Sequence, residues 1–158
     1  MAGDVRLPPQ ALEAAARFQE GCNCAQAVFA TFAERLGMDG EIAIRAATAF
    51  GAGIARRGGM CGAVSGGLMV IGLAYGGGTP EAKNHVYALA NEFMRRFEGL
   101  HGSLLCNELT GIDICDPVAR QTGHDQGVYA RLCPHFVEAA ASLLVELLDN
   151  SPPEAKQP

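Results

Sequence analysis

The sequence predicts an all-α fold, a compact single-domain helical bundle around a buried glycine-rich central helix. Three observations carry this. Apolar residues recur at three- and four-residue spacing in several segments, and no stretch alternates apolar and polar as a half-buried strand would. Helix start signals recur along the chain, the strongest being Thr79-Pro80-Glu81, a cap followed by proline at the first helical position and an acid in the first turn. One segment, Met60 to Tyr75, is apolar on every side, the mark of a helix enclosed by others. At 158 residues the chain is long enough to bury a core without staples. Residues 1–150 form the expected domain, and 151–158, rich in proline, form a flexible tail.

The elements follow in order. Pro8-Pro9 opens a first helix that stops near Gly21. Asn23 caps a second from Cys24 to Leu36, with Gly37 just beyond its end, and Cys24, Val28 and Phe32 share one stripe. Asp39-Gly40 starts a third, Glu41 to Phe50. A glycine-rich joint over residues 51–59 delivers the chain into the central helix, Met60 to Tyr75. Interior glycines there cost roughly 1 kcal/mol each relative to alanine, so Gly62 and Gly66 are expected to mark a close helix contact. The helix after Thr79 runs to Phe97, with Val86, Leu89, Ala90, Phe93 and Phe97 facing inward. A short helix lies around Ser103 to Leu109, and residues 111–126 read as a polar, irregular connector. Pro134 starts the last helix, whose core face is Phe136, Val137, Ala140, Leu143, Leu144 and Leu147.

Composition narrows the function. An apolar fraction of 49% against 18% charged excludes a disordered chain. Twelve Lys and Arg against seventeen Asp and Glu, a net charge of −5, argue against nucleic-acid binding. The first residues lack the basic start and apolar run of a signal peptide, and no apolar run reaches the roughly 20 residues a bilayer requires. No membrane insertion and a cytoplasmic location are expected. Thiols are normally reduced there, so six cysteines point to a metal site or redox chemistry before a disulfide framework.

Cys24, Cys61 and Cys133 fall at predicted helix starts, and Cys106 within the short helix. The partial positive charge of a helix start favours a thiolate, which is both the redox nucleophile and the soft metal ligand. Arg56 and Arg57 precede Cys61 and add to the effect, so Cys61 is expected to be the most acidic thiol. Buried small residues would give the same spacing, since free cysteine is among the most buried types and no C-x-x-C pair is present. Cys22 is two residues from Cys24 and offers a resolving thiol, or is incidental. His85, His101, His124 and His135 lack metal-ligand spacing and suit surface or capping roles, with His135 near enough to Cys133 to tune it. Gly51-Ala52-Gly53 is not a dinucleotide fingerprint, because position 56 is Arg and no strand precedes it.

Asn23-Cys24-Ala25-Gln26-Ala27-Val28, Gly59-Met60-Cys61-Gly62-Ala63-Val64-Ser65-Gly66, Gly102-Ser103-Leu104-Leu105-Cys106-Asn107-Glu108-Leu109 and Cys133-Pro134 together resemble the C_GCAxxG_C_C family of redox-active proteins. Four blocks in the same order cover about Phe18 to Leu148. The resemblance implies thiol-based redox function through Cys24, Cys61, Cys106 and Cys133, as redox thiols or as ligands of a metal or cofactor. Cys22 and Cys115 fall outside its blocks. The leading reading is an iron–sulfur cluster used in electron transfer, which four thiolates suit, and two alternatives stay open. Two of the thiols could instead cycle as a metal-free dithiol. A structural zinc ion would also accept all four. An unidentified redox partner protein is implied, and a homodimer is compatible. Under either redox reading the four cysteines must converge across separations of 37, 45 and 27 residues.

Overall fold

The computed structural model describes residues 6–153. Eight helices make up the fold among them: α1 (Pro9–Gln19), α2 (Cys24–Arg35), α3 (Gly40–Ala47), α4 (Gly62–Tyr75), α5 (Pro80–His101), α6 (Cys106–Thr110), α7 (Pro117–Asp125) and α8 (Val128–Asn150). No strand forms among these residues, only one isolated antiparallel bridge, Met60 with Leu105. Capping explains the helix starts. Asn23 accepts from the Gln26 amide at 2.9 Å while the Gln26 side chain accepts from the Asn23 amide, a reciprocal box. Asp39 and Thr79 cap α3 and α5 through the amides of Ile42 and Ala82.

The glycine-rich helix α4 is the hub. It packs on α2, α5 and α8, while α1 lies across α2 and α8. A single cluster of buried residues runs from Ala11 to Leu147. The contact of α4 with α2 depends on missing side chains. A Cβ at Gly66 would stand 2.7 Å from the Ala25 carbonyl oxygen, and one at Gly62 would stand 2.9 Å from the Cys24 Cβ. On another face, the ring of Phe93 from α5 fills the space that a Cβ at Gly67 would need. Helix α4 is not enclosed on all sides, since Leu68, Met69 and Leu73 are only half-buried.

Three expectations need correction. The last helix begins at Val128, after Gly127 in a left-handed conformation (φ 66°), and Pro134 lies inside it. Proline there removes the amide that would reach the Ala130 carbonyl, a defect that costs about 3 kcal/mol in an isolated helix. The buried stripe Val128, Cys133, Val137, Ala140, Leu144 runs straight through that point, and its packing holds the helix together. The connector over 111–126 contains α7, opened by Asp116, whose carboxylate accepts from the Val118 amide at 3.0 Å. This helix buries only Gly123, so it carries no apolar stripe to betray it. On α5 only Phe93 and Phe97 are fully buried; Val86, Leu89 and Ala90 are half-buried. Of the expected tail, residues 154–158 lie outside the described residues, and the Ser151 carbonyl accepts a hydrogen bond from the Tyr75 hydroxyl.

The glycine joint predicts two opposite substitution effects. Gly66→Leu should destabilise by about 3 kcal/mol or more, because its side chain meets backbone that cannot yield. Gly72, also inside α4, has open space where a Cβ would sit, so Gly72→Ala should stabilise by about 1 kcal/mol. Thermal melts of the two variants check both signs; an unchanged melt for Gly66→Leu would remove the close contact from the account.

Candidate functional site

Cys24 is the first residue of α2, and Asn23 before it is anchored twice. Besides the capping box, the Asn23 side-chain amide donates to the Thr48 carbonyl at 2.9 Å. Cys61 is the N-cap of α4; its side chain makes no cap hydrogen bond, yet the amides of Ala63 and Val64 lie near enough to favour its thiolate. Cys106 is the first residue of α6, at the helix start rather than within the helix. Two backbone hydrogen bonds clamp these last two thiols side by side. The Cys61 amide donates to the Leu104 carbonyl at 2.8 Å, and the Cys106 amide to the Gly59 carbonyl at 2.7 Å. In this antiparallel register, Cys61 and Cys106 are diagonal neighbours on the same face of the pair. Cys133 does not begin its helix. It is the sixth residue of α8 and so sits beyond the first turn, where the helix end would have favoured its thiolate.

All four cysteines line one cavity of about 310 Å³. Cys61, Cys106 and Cys133 are 4%, 9% and 8% exposed, so the thiols form its floor. Glycine lets backbone crowd against two of these cysteines. A Cβ on Gly53 would stand 2.8 Å from the Cys106 Cβ, and Gly62 abuts Cys24 in the same way. Cys22 and Cys115 are not part of the lining; Cys22 packs against the core and Cys115 is exposed. Among the described residues, no three His, Cys, Asp or Glu side chains are grouped to hold a single metal ion.

The segment beside the floor is backbone under strain. Ala52, Gly53, Ile54, Ala55 and Arg56 have φ of 55°, 64°, 63°, 49° and 66°, a left-handed turn in which four residues carry side chains. Left-handed helical geometry costs roughly 1–2 kcal/mol per such residue. The turn is closed by the Ala55 amide on the Gly51 carbonyl (3.0 Å) and the Gly59 amide on the Gly53 carbonyl (2.9 Å). The chain thereby doubles back between α3 and α4 and brings Ala52 and Arg56 to the cavity wall.

The thiols are not equivalent. Cys24 and Cys133 lie close enough for a thiol–thiol hydrogen bond to tie their titrations together, with either sulfur able to serve as donor. That hydrogen bond draws Cys133 below the ordinary thiol value. The same bond, followed by burial, pushes Cys24 well above it. The pair therefore titrates as a unit. Burial pushes Cys61 up to about 11, against the two backbone amides that favour its thiolate. Cys106 is raised to about 12, by burial first and then by Cys61 and Cys133. Cys61 is thus not the most acidic thiol: desolvation outweighs the helix start. Arg57 is not among the cavity lining, and Arg56 does not offset the burial of Cys61.

The connector supplies residues that the sequence did not single out. Ile114, Arg120, Gln121 and His124 form the wall facing the thiols, and Tyr129 from the first turn of α8 joins them. His124 therefore belongs to the cavity. His135 is exposed, pairs with Glu138 at 3.7 Å, and is not among the lining residues. The one sequence signal for the wall was Asp116-Pro117, which repeats the cap-and-proline pattern of Thr79-Pro80.

A family model described as "Putative redox-active protein (C_GCAxxG_C_C)" matches residues 22–147. No curated protein and no solved structure matches the chain. No helix among the described residues is long and apolar enough to cross a membrane.

Cys61 makes stability depend on pH in a defined direction. Its folded-state value of about 11 lies above the ordinary 9.0, so the folded protein binds the proton more tightly than the unfolded chain. The contribution, roughly 2–3 kcal/mol, is full below pH 9 and is lost as pH rises toward 11. Reduced, metal-free protein should lose more melting temperature between pH 8 and pH 11 than Cys61→Ala does. Parallel melting curves across that range would refute the assignment.

Proposed function

The chain belongs to the C_GCAxxG_C_C family of redox-active proteins, and on that premise we propose that it is a thiol–disulfide redox protein whose working pair is Cys24 and Cys133. The observation that supports this is the placement of the two thiols together on one cavity, with Cys24 drawing Cys133 below the ordinary thiol value. The Cys133 thiolate attacks one sulfur of a disulfide RSSR, forming a mixed disulfide and releasing RS⁻, which takes a proton from solvent. Cys24 then attacks the Cys133 sulfur as its proton passes, directly or through solvent, to the second RS⁻. The Cys24–Cys133 disulfide forms and the second thiol departs as RSH. Two thiols are oxidised and one disulfide is reduced to two thiols. A lowered value at the attacking sulfur raises its thiolate fraction at neutral pH, and the nearness of the two sulfurs makes the closing step intramolecular. Such a pair needs a reductant to return its electrons, a role for a partner redox protein in a reducing compartment such as the cytoplasm.

A second reading has its own support. Cys61 and Cys106 are buried on the same cavity, and the dithiol step does not use them. Four thiols on one cavity are the donor set of an iron–sulfur cluster, which Cys24, Cys61, Cys106 and Cys133 would hold and which would supply electron transfer. Zinc would need the same four donors drawn around a single point, a grouping not present among the described residues.

Metal analysis, visible spectra and thiol counting on anaerobically purified protein separate the readings. The dithiol reading expects colourless protein in which mild oxidation joins Cys24 to Cys133 in peptide maps. Cys24→Ser or Cys133→Ser should each abolish that product and lower turnover of a small disulfide at least about 100-fold. Stoichiometric iron with visible absorption, or one tightly held zinc, would replace it with the corresponding metal reading.

A further inference from the structure

We infer that the cavity selects small disulfides bearing carboxylates, an assignment that rests on the dithiol reading above. The thiols form the floor. Besides Tyr129, the ionisable side chains above them are the bases Arg56, Arg120 and His124, and among the described residues no Asp or Glu lines the cavity. Composition alone would not produce this, since the chain carries seventeen acids to twelve Lys and Arg. The carboxylate-free wall is therefore a local feature, opposite in sign to the molecule as a whole.

Arg120 is the anchor. It is half-buried, and its Nη1 donates to the Ile114 carbonyl at 2.8 Å, which fixes the guanidinium while leaving most of its donors free. Tyr129 links it to the floor: the phenol lies against the Arg120 carbonyl at 3.5 Å and within electrostatic reach of both Cys106 and Cys133. Arg56 and His124 are exposed and define the mouth, where His124 also lies 3.4 Å from Asp125. A guanidinium binds a carboxylate through two parallel hydrogen bonds, a geometry that a neutral or cationic group cannot reproduce. At about 310 Å³ the cavity is at the small end of the range for small-molecule pockets. A compact disulfide with a carboxylate a few atoms from its sulfur could set the acid on Arg120 and the sulfur on Cys133.

Three disulfides of like length and opposite charge test this: 3,3′-dithiodipropionate (anionic), bis(2-hydroxyethyl) disulfide (neutral) and cystamine (cationic). Oxidation of the reduced full-length chain by each is followed by loss of free thiol and by mapping the Cys24–Cys133 product. The anionic disulfide should react at least about tenfold faster than the neutral one, and the cationic one slowest. Added salt should shrink the spread. Arg120→Gln should bring the anionic-to-neutral ratio toward one. Arg56→Gln, on an exposed residue, should lower it in part and serves if Arg120→Gln fails to fold. Equal rates for all three disulfides, or a faster cationic one, would overturn the charge selection and leave the dithiol reading intact. No Cys24–Cys133 product with any of them would overturn both.

Discussion

The site depends on the absence of side chains at two positions of one helix. Gly62 and Gly66 let α4 lie directly on the backbone of α2 at Ala25, and that contact brings the start of α2 against the start of α4. Cys24 and Cys61 occupy those two starts. Everything else is added to this joint. The two backbone hydrogen bonds between residues 59–61 and 104–106 bring in Cys106, and α8, packed across α1, α2 and α4, brings in Cys133. Four sulfurs far apart in sequence thus reach one cavity through helix packing and a two-bond clamp, without any local cysteine motif.

Bringing thiols into a shared, buried space sets two effects against each other. Helix starts favour thiolates, and low exposure disfavours them. At Cys61 two amides favour the thiolate, yet burial wins. At Cys133 no helix end is near, yet a neighbouring thiol that can donate a hydrogen bond achieves what the helix end does not. The difference between the Cys24–Cys133 pair and the two raised thiols, Cys61 and Cys106, comes from which sulfurs lie together, a property of tertiary packing.

Much of the frame was legible in the sequence. The caps at Asn23, Asp39 and Thr79 and the apolar girth of the central helix gave the helices; the glycines at 62 and 66 gave the close contact of α4 with α2. The four cysteine blocks pointed to one site. What escaped reading was set by longer-range forces. Pro134 looked like a start because proline suits a first turn, but the packed stripe on either side of it overrides the lost hydrogen bond. Helix α7 escaped because a helix that buries one glycine leaves almost no periodic trace. The cavity wall escaped with it, since Arg120 and His124 become neighbours of the thiols only once α7 folds back toward α8.

The left-handed turn beside the thiols reverses the usual ranking of residues. In most backbone positions glycine is the costly choice, because it has the most conformational freedom to surrender. At Ala52, Ile54, Ala55 and Arg56 the backbone itself would favour glycine, and each side chain there is carried against that preference. For Ala52 and Arg56 the compensation is visible, because both form part of the cavity boundary. The turn is therefore a place where an engineer seeking robustness and one seeking to keep the chemistry would choose opposite residues. Glycine at Arg56 would relax the chain and strip the cation from the mouth of the cavity in a single change.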